Sequence, residues 1–541
     1  MSHKFDRLGL MIDMSRNAVM SVDGLKKFLP LLKKMGYNSV MLYTEDTYEV
    51  EGHPYFGYMR GRYSADEIRE IDRFAEEIGM ELIPCIQTLA HLKQSFKWGT
   101  VPMDHHDVLL CDDEETYKLI DDMFSTVKKT YRSNLIHIGM DEAANIGKGE
   151  HLKRHGYEKP LAIILRHLRK VCEIAEKHGL TVIMWSDMFF KSASNLGSSA
   201  DLGITKEELG KLMESVIPVC WDYSPNGEEY FENKINVHKD IFKTVWFTGG
   251  LYSWYGFTPL NKLAIRQAER TISVCKKEKL PTYYTSLWGD DGAECSRYAN
   301  LPSLFYTAAL ARGITEEEQI KKEFKKAVGA DFDDFMLLDL PNEVDMTHET
   351  PDGPYPHWPL HPSKYMILSD YFNDFLDATV TDGVGKKYGE LAKKLYDAKK
   401  RNRRYAHIFD KAAKLCEALE YKYELGLKTR RAYEKGDKEA LLKLANEDYI
   451  IVKKRLSAFR KSFEKQWMAE NKPHGFDVQD LRLGGIIMRT ETCRARILDY
   501  VNGRIPTIAE LEEKLLPLPD SANIHSGYAF YSTPNVIFHI F

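Results

Sequence analysis

The sequence predicts an α/β protein: a (β/α)8 TIM barrel over residues 1–330, followed by a mainly α-helical C-terminal domain over residues 331–541. Two observations carry this. Short runs rich in Val, Ile, Leu and Tyr alternate with amphipathic helical patterns, and the runs lack strict polar–apolar alternation, as strands buried on both faces do. Polar and aromatic residues then crowd into the few positions after each run. Strand–helix repetition specifies a parallel sheet, and eight units in roughly 310 residues is the number that closes a barrel.

The strands are expected at Leu8–Asp13, Ser39–Thr44, Glu81–Gln87, Leu135–Met140, Thr181–Ser186, Val216–Asp222, Val245–Thr248 and Thr282–Trp288. Between them Gly24–Met35, Ala65–Ile78 and Pro160–His178 read as helices. Met35-Gly36-Tyr37, Ile78-Gly79-Met80 and His178-Gly179-Leu180 each place a glycine between helix and strand, the left-handed C-cap. Past the barrel, Ile314–Val328 is expected as a helix, with Thr315 as N-cap and Glu318 completing a capping box. The Pro- and His-rich stretch Leu340–Pro362 excludes helix and central strand. It is too long for an idle connector, and reads as a functional loop or as a strap over the barrel's flank. Lys387–Arg401, Tyr405–Gly426 and Ala440–Ala469 are long amphipathic helices whose Lys and Glu form solvated faces. This domain packs on the barrel or forms a homodimer interface. Gly475–Asp480 is polar and aromatic enough to reach a partner's site.

Composition narrows the function. The 75 basic and 80 acidic residues nearly balance, with no long block of one sign, which argues against a nucleic-acid partner. The N-terminus lacks an apolar signal core and no run of 18 apolar residues occurs, so a soluble, non-secreted chain with no membrane partner is expected. Eight cysteines are scattered singly without metal-finger spacing and read as reduced core residues of a cytoplasmic protein.

In TIM barrels the chemistry sits at the C-terminal ends of the strands. Here those ends carry Asp13-Met14-Ser15-Arg16, Thr44-Glu45-Asp46, Thr88-Leu89-Ala90-His91, Asp141-Glu142, Trp185-Ser186-Asp187, Trp221-Asp222-Tyr223, Tyr252-Ser253-Trp254-Tyr255 and Trp288-Gly289-Asp290. Sugars want such a set: aromatic faces stack on the C–H faces of a pyranose, while carboxylates and Arg bind its hydroxyls. The most informative stretch is His137-Ile138-Gly139-Met140-Asp141-Glu142. Two adjacent acids at a strand end put like charges within a few ångströms and raise the pKa of one of them. A carboxyl held protonated near neutral pH serves as a general acid.

On these residues the chain resembles glycoside hydrolase family 20, the exo-β-N-acetylhexosaminidases. The family's His-x-Gly-x-Asp-Glu signature is matched by His137 to Glu142, and its Asp-x-x-Arg-type motif at the first strand by Asp13 and Arg16. Tryptophans after its fifth, sixth and eighth strands are matched by Trp185, Trp221 and Trp288. The resemblance implies removal of terminal β-linked GlcNAc or GalNAc from an oligosaccharide or glycoconjugate, by a retaining, substrate-assisted mechanism through an oxazoline-like intermediate. It implies Glu142 as acid and base, Asp141 as acceptor of the acetamido N–H, and a tyrosine on the acetamido oxygen, with Tyr252 favoured slightly over Tyr255. It further implies Arg16 on the C3 and C4 hydroxyls, Asp290 on C4 or C6, Trp185, Trp221 and Trp254 around the acetamido group, and Trp288 beneath the ring. His91 and His137 carry weaker roles, and His137 reads equally as a buried brace. Glu45 and Asp46 read as satisfying loop backbone. Three departures from the family's usual layout stand out: no small α/β domain before the first strand, Asp290 where Glu is usual, and the long helical C-terminal domain.

Three other readings compete. A retaining glycosidase of the ordinary kind would use Glu142 with Glu294 or another late carboxylate as nucleophile. His137, Asp141 and His91 could ligate a metal, though no HxH or HExxH spacing supports it, and the favoured reading needs neither metal nor cofactor. A non-catalytic sugar-binding protein would keep the tryptophans without needing the acid pair.

Overall fold

The computed structural model describes residues 3–189, 204–224, 226–254, 256–344 and 362–516. Tyr255 and most of the Pro- and His-rich stretch, residues 345–361, lie outside them.

Parallel strands β1 (Arg7–Asp13), β2 (Ser39–Tyr43), β3 (Glu81–Cys85), β4 (Leu135–His137), β5 (Thr181–Trp185), β6 (Val216–Trp221), β7 (Trp246–Gly250) and β8 (Thr282–Leu287) form a closed barrel. Closure is the pairing of β8 with β1, from Arg7↔Thr282 to Ile12↔Leu287. All eight fall on the runs expected from sequence. β4 alone stops well short, at His137, because Gly139 and Met140 turn left-handed at φ 71°. Met11, Met41, Tyr43, Ile83, Ile183, Trp185, Val219, Trp246 and Tyr284 fill the barrel's interior. Leu8, Leu10 and Ile12 point instead to the core between barrel and helices. Gly9 has no side chain because the Tyr284 ring crosses its position, 2.2 Å from where a Cβ would sit.

Helices α1 (Val22–Met35), α2 (Ala65–Glu77), α3 (Glu114–Thr130), α4 (Pro160–Lys177), α5 (Glu228–Lys239), α6 (Asn261–Lys277) and α7 (Leu301–Arg312) surround the barrel. The predicted C-cap at Gly36 forms, with φ 112° and its N–H on the Leu32 and Lys33 carbonyls. The capping box expected at Thr315 does not form: α8 runs Glu317–Val328, with Glu316 before it and no side-chain cap. Beyond it come α9 (Pro362–Leu368), α10 (Val384–Arg401), α11 (Ala406–Lys422), α12 (Asp448–Glu470) and α13 (Phe476–Val501). The single helix expected over Ala440–Ala469 is broken at Glu447 into Lys438–Asn446 and α12. Among the described residues no helix is long and apolar enough to cross a membrane.

The helical region is joined to the barrel by one continuous apolar core, in which Phe257 of the barrel meets Phe459 and Phe463 of α12 edge-on. The segment from Gly475 packs within this chain: the Phe476 ring lies on Phe463 and Trp467, and Gly475 lies against Asn17. Arg297 fastens the same seam. Its Nη2 donates to the Asp13 and Ala18 carbonyls, both at 2.7 Å, and its Nη1 to Asn471 Oδ1 at 3.1 Å. Arg297→Met should leave these buried acceptors without a donor and lower the unfolding free energy by about 3 kcal/mol in urea titrations.

Candidate active site

At the end of β1, Asp13 is buried and does two things. Its Oδ1 accepts from the Ser15 N–H (2.8 Å) and hydroxyl (2.7 Å), and its Oδ2 accepts from the Gly289 N–H (2.9 Å). It thus fixes both the loop that carries Arg16 and the turn after β8. Arg16 Nη1 then lies 2.6 Å from Glu45 Oε1 and 3.8 Å from Asp13 Oδ2.

The turn after β4 is sterically determined. Gly139, Met140 and Glu142 have φ of 71°, 71° and 52°. A Cβ on Gly139 would sit 2.1 Å from Gln87 Oε1, so glycine is required there. Gln87 holds the turn from β3, accepting from Met140 N–H (3.1 Å) and donating to Asp141 Oδ1 (2.7 Å) and Tyr43 (2.8 Å). From β5, Asp187 Oδ2 accepts the Glu142 N–H at 2.9 Å, and Oδ1 lies 3.4 Å from Trp221 Nε1. Both acids therefore face one cavity of about 320 Å3, lined by Arg16, His91, Asp141, Glu142, Trp185, Trp221, Tyr223, Trp254, Trp288 and Asp290. That is the small end of the range for ligand sites, room for one sugar ring and little more. Trp288 Nε1 donates to the Tyr223 hydroxyl at 2.7 Å, and the Tyr223 ring packs 5.2 Å from Trp221 and 5.4 Å from Trp254.

Residues 5–202 match the glycosyl hydrolase family 20 catalytic domain, and residues 333–528 match the glycoside hydrolase 20C C-terminal domain. The chain belongs to glycoside hydrolase family 20. It is 26% identical to hexosaminidase D of Bos taurus over 217 residues, 37% of this chain and 58% of the relative. It is also 26% identical to hexosaminidase D of Homo sapiens over 226 residues, 39% of this chain and 43% of the relative. It therefore spans about half the length of these curated relatives. A family 20 exo-β-N-acetylglucosaminidase from Vibrio harveyi superposes with TM-score 0.46 at 15% identity, over 62% of this chain and 59% of the other.

The catalytic-domain match ends before β6, so the positions expected on β6 to β8 lie outside it. Of the positions expected from sequence, Arg16, His91, Asp141, Glu142, Trp185, Trp221, Trp254, Trp288 and Asp290 come together at the cavity. His137 and Tyr252 do not reach its wall. The imidazole of His137 is buried behind Trp185, ring centroids 4.4 Å apart, with Nδ1 accepting the Gly139 N–H. Burial keeps it neutral, with a pKa lowered to about 3. Tyr252, at φ 43°, is turned behind Trp254 and is 4% exposed. The sequence places Asp187 and Tyr223 at strand ends without marking a role for either, and does not distinguish Gln87. Glu45, read as a backbone satisfier, instead pairs with Arg16. Glu294 is off the cavity, bound to Lys364 and Arg482. The metal set His137, Asp141 and His91 does not converge; among the described residues the side chains that do are His105, His106 and Asp107.

The two acids differ in state. Burial pushes the Asp141 carboxyl up, but the charge of His91 and hydrogen bonding from His91 and Gln87 outweigh this and hold it below its usual range. Glu142 is raised, chiefly by desolvation and only secondarily by Asp141, although its side chain is 52% exposed at the cavity mouth. The inequality expected from adjacent acids is therefore present, but its main cause is the His91 and Gln87 contacts that Asp141 has, set against the desolvation both acids share, and not mutual repulsion. His91 Nε2 lies 3.3 Å from Asp141 Oδ2 and 3.6 Å from Glu142 Oε2. Burial lowers its pKa, and the Asp141 charge overrides this and pushes it up to about 9. A raised histidine stabilises the fold fully below about pH 6.5, and that contribution is lost as pH rises through about 9. Relative to His91→Gln, the wild type should therefore lose up to about 3 kcal/mol of unfolding free energy between these limits, read by urea denaturation at pH 6 and pH 9.5.

Proposed function

We propose that the chain is an exo-acting β-N-acetylhexosaminidase, removing terminal β-linked GlcNAc or GalNAc from oligosaccharides or glycoconjugates with retention and with the substrate's own acetamido group as nucleophile. The observation that carries this reading is the adjacent pair at a one-sugar cavity: Asp141 held ionised, Glu142 biased towards its protonated form. The acetamido oxygen attacks C1 while the glycosidic C1–O bond breaks, its electron pair staying on the leaving oxygen, which takes the Glu142 proton. The Glu142 carboxylate then removes a proton from water as that water adds to C1 and reopens the oxazoline-like ring. Asp141 accepts the acetamido N–H and offsets the positive charge that develops beside it, and its Gln87 bond keeps it oriented.

Arg16, aligned by Glu45, supplies charge-assisted bonds to ring hydroxyls, and Asp290 accepts from the outer ones. Trp185, Trp221, Trp254 and Trp288 supply the apolar walls. Tyr223 is better placed than Tyr252 to donate to the acetamido oxygen, because Tyr223 lines the cavity and Tyr252 does not reach its wall. All eight cysteines are free and seven are buried, in keeping with a cytoplasmic enzyme.

The test is nitrophenol release from the β-N-acetylglucosaminide, with the unsubstituted β-glucoside as control. Turnover of the first alone is expected, with kcat/KM falling as pH rises through the raised Glu142 pKa. Glu142→Gln should lower kcat/KM by about 100- to 10,000-fold. Equal turnover of both sugars would sink the assisted mechanism and make Asp290, the other carboxylate in the cavity, the candidate nucleophile. Tyr223→Phe should lower kcat by about tenfold or more, with Tyr252→Phe nearly silent; the reverse order would return the role to Tyr252.

A further inference from the structure

The helical region reaches the cavity from behind. After Trp288 and Asp290, the β8 turn continues through Asp291, Gly292, Ala293 and Glu294, all buried. Its backbone is unusual: Gly292 and Ala293 have φ of 109° and 52°, and a Cβ on Gly289 would lie 2.7 Å from that of Ala293. A turn this tight needs holding, and most of what holds it comes from the helices. Lys364 Nζ, in α9, lies 2.9 Å from Asp291 Oδ2 and 2.7 Å from Glu294 Oε2. Arg482 Nη1, in α13, donates to Glu294 Oε1 at 2.9 Å and to the Asp291 carbonyl at 2.5 Å. Gln479 donates to the Gly292 carbonyl (3.3 Å), and Lys411 of α11 to the Glu294 carbonyl (2.7 Å). On the barrel side the Asp291 N–H donates to the Trp254 carbonyl at 3.0 Å, so the cluster also touches the loop that carries a cavity tryptophan.

We propose that Lys364, Arg482 and Glu294 form a clamp that sets the position of Asp290 and thereby the enzyme's discrimination at the outer hydroxyls of the terminal sugar. They are positioning residues, since none lines the cavity. Two physical arguments favour this over simple stabilisation. Buried ion pairs seldom add net stability over apolar residues of the same size, so four charged groups in one cluster, three of them fully buried and Arg482 nearly so, fit a fixed geometry better than a gain in stability. Asp291 is also covalently next to Asp290, so a shift of the clamp moves the Asp290 backbone, and a misplacement of about 1 Å is enough to weaken a hydroxyl contact. GlcNAc and GalNAc differ only in the orientation of the C4 hydroxyl, one of those assigned to Asp290. The inference rests on the proposed sugar for its ligand but not on the proposed chemistry.

The experiment uses the full chain and the double variant Lys364→Met/Asp291→Asn, which removes the ion pair without stranding a buried charge and leaves Glu294 paired with Arg482. Folding is checked by near-ultraviolet dichroism. kcat and KM are measured on the nitrophenyl β-glycosides of GlcNAc and GalNAc, and GlcNAc binding is followed through the cavity tryptophans' fluorescence. The GlcNAc-to-GalNAc ratio of kcat/KM should change by about fivefold or more, through KM and with kcat within about threefold, and GlcNAc binding should weaken about tenfold. Lys364→Arg should retain the wild-type ratio. Arg482→Lys, the milder variant if the double one does not fold, should shift the ratio in the same direction by about two- to threefold. A folded variant with unchanged ratio and unchanged GlcNAc binding overturns the clamp. If no variant, including the wild type, hydrolyses either glycoside, the proposed reaction fails while the fluorescence titration still decides the clamp.

Discussion

Everything at the catalytic end depends on the left-handed turn that follows β4. Two non-glycine residues there, Met140 and Glu142, hold positive φ, a conformation that costs about 1 kcal/mol or more each and is kept only where neighbours over-determine it. The neighbours are Gln87 on one side and Asp187 on the other, both buried and both hydrogen-bonded to the turn's backbone N–H groups. An ordinary strand continuation would send residues 141 and 142 to opposite faces of the sheet. The turn instead brings both side chains to one cavity.

The same contacts make the two acids unequal. Gln87 gives Asp141 a hydrogen bond that favours its ionised form, and His91 adds a positive charge at 3.3 Å. Asp187 spends its carboxylate on the backbone N–H of Glu142, leaving that side chain without a comparable donor. Asp187 is itself pushed up to about 7, by burial first and the Asp141 charge second. Negative charge is thus concentrated on Asp141 and relieved on either side of it. One buried cation, His91, is shared among acids that would otherwise compete to stay protonated.

The strands were legible in the sequence because burial on both faces leaves an unbroken apolar run, and their ends were legible because the polar residues there have no role in packing. Arg16, Glu142 and the tryptophans stood out on that ground. Gln87 and Asp187 did not: each follows a strand and reads as an ordinary polar residue until the turn they hold is seen in three dimensions. Tyr223 was hidden for another reason. Tyr223 and Tyr252 both sit near strand ends, and only the backbone angle at Tyr252 separates a ring on the cavity wall from one behind it. The break at Glu447 and the missing cap at Thr315 are local failures of propensity, overridden where a helix must stop or start to suit its packing.

Four of the loops at this end of the barrel are fastened in different ways, and the differences follow from where each lies. The β1 loop is tied by Asp13. The hairpin after β3 is tied by Asp104, which accepts from the N–H groups of Gly147 (2.6 Å), Gly149 (3.1 Å) and His151 (2.8 Å) and so locks it to the segment following Glu142. The β4 turn is tied by Gln87 and Asp187. In each of these a buried side chain from within the barrel accepts backbone N–H groups. The β8 turn has one such acceptor, Asp13 on Gly289, and beyond Asp290 its buried carbonyls and two carboxylates need donors instead. Cationic and amide donors are what the helices bring: Lys364, Lys411, Gln479 and Arg482. The barrel region anchors these N–H groups with its own side chains, and two carbonyls around the β1 loop with Arg297, but the acceptors of the β8 turn beyond Asp290 require donors from outside. That requirement gives the helical region a physical reason to lie where it does.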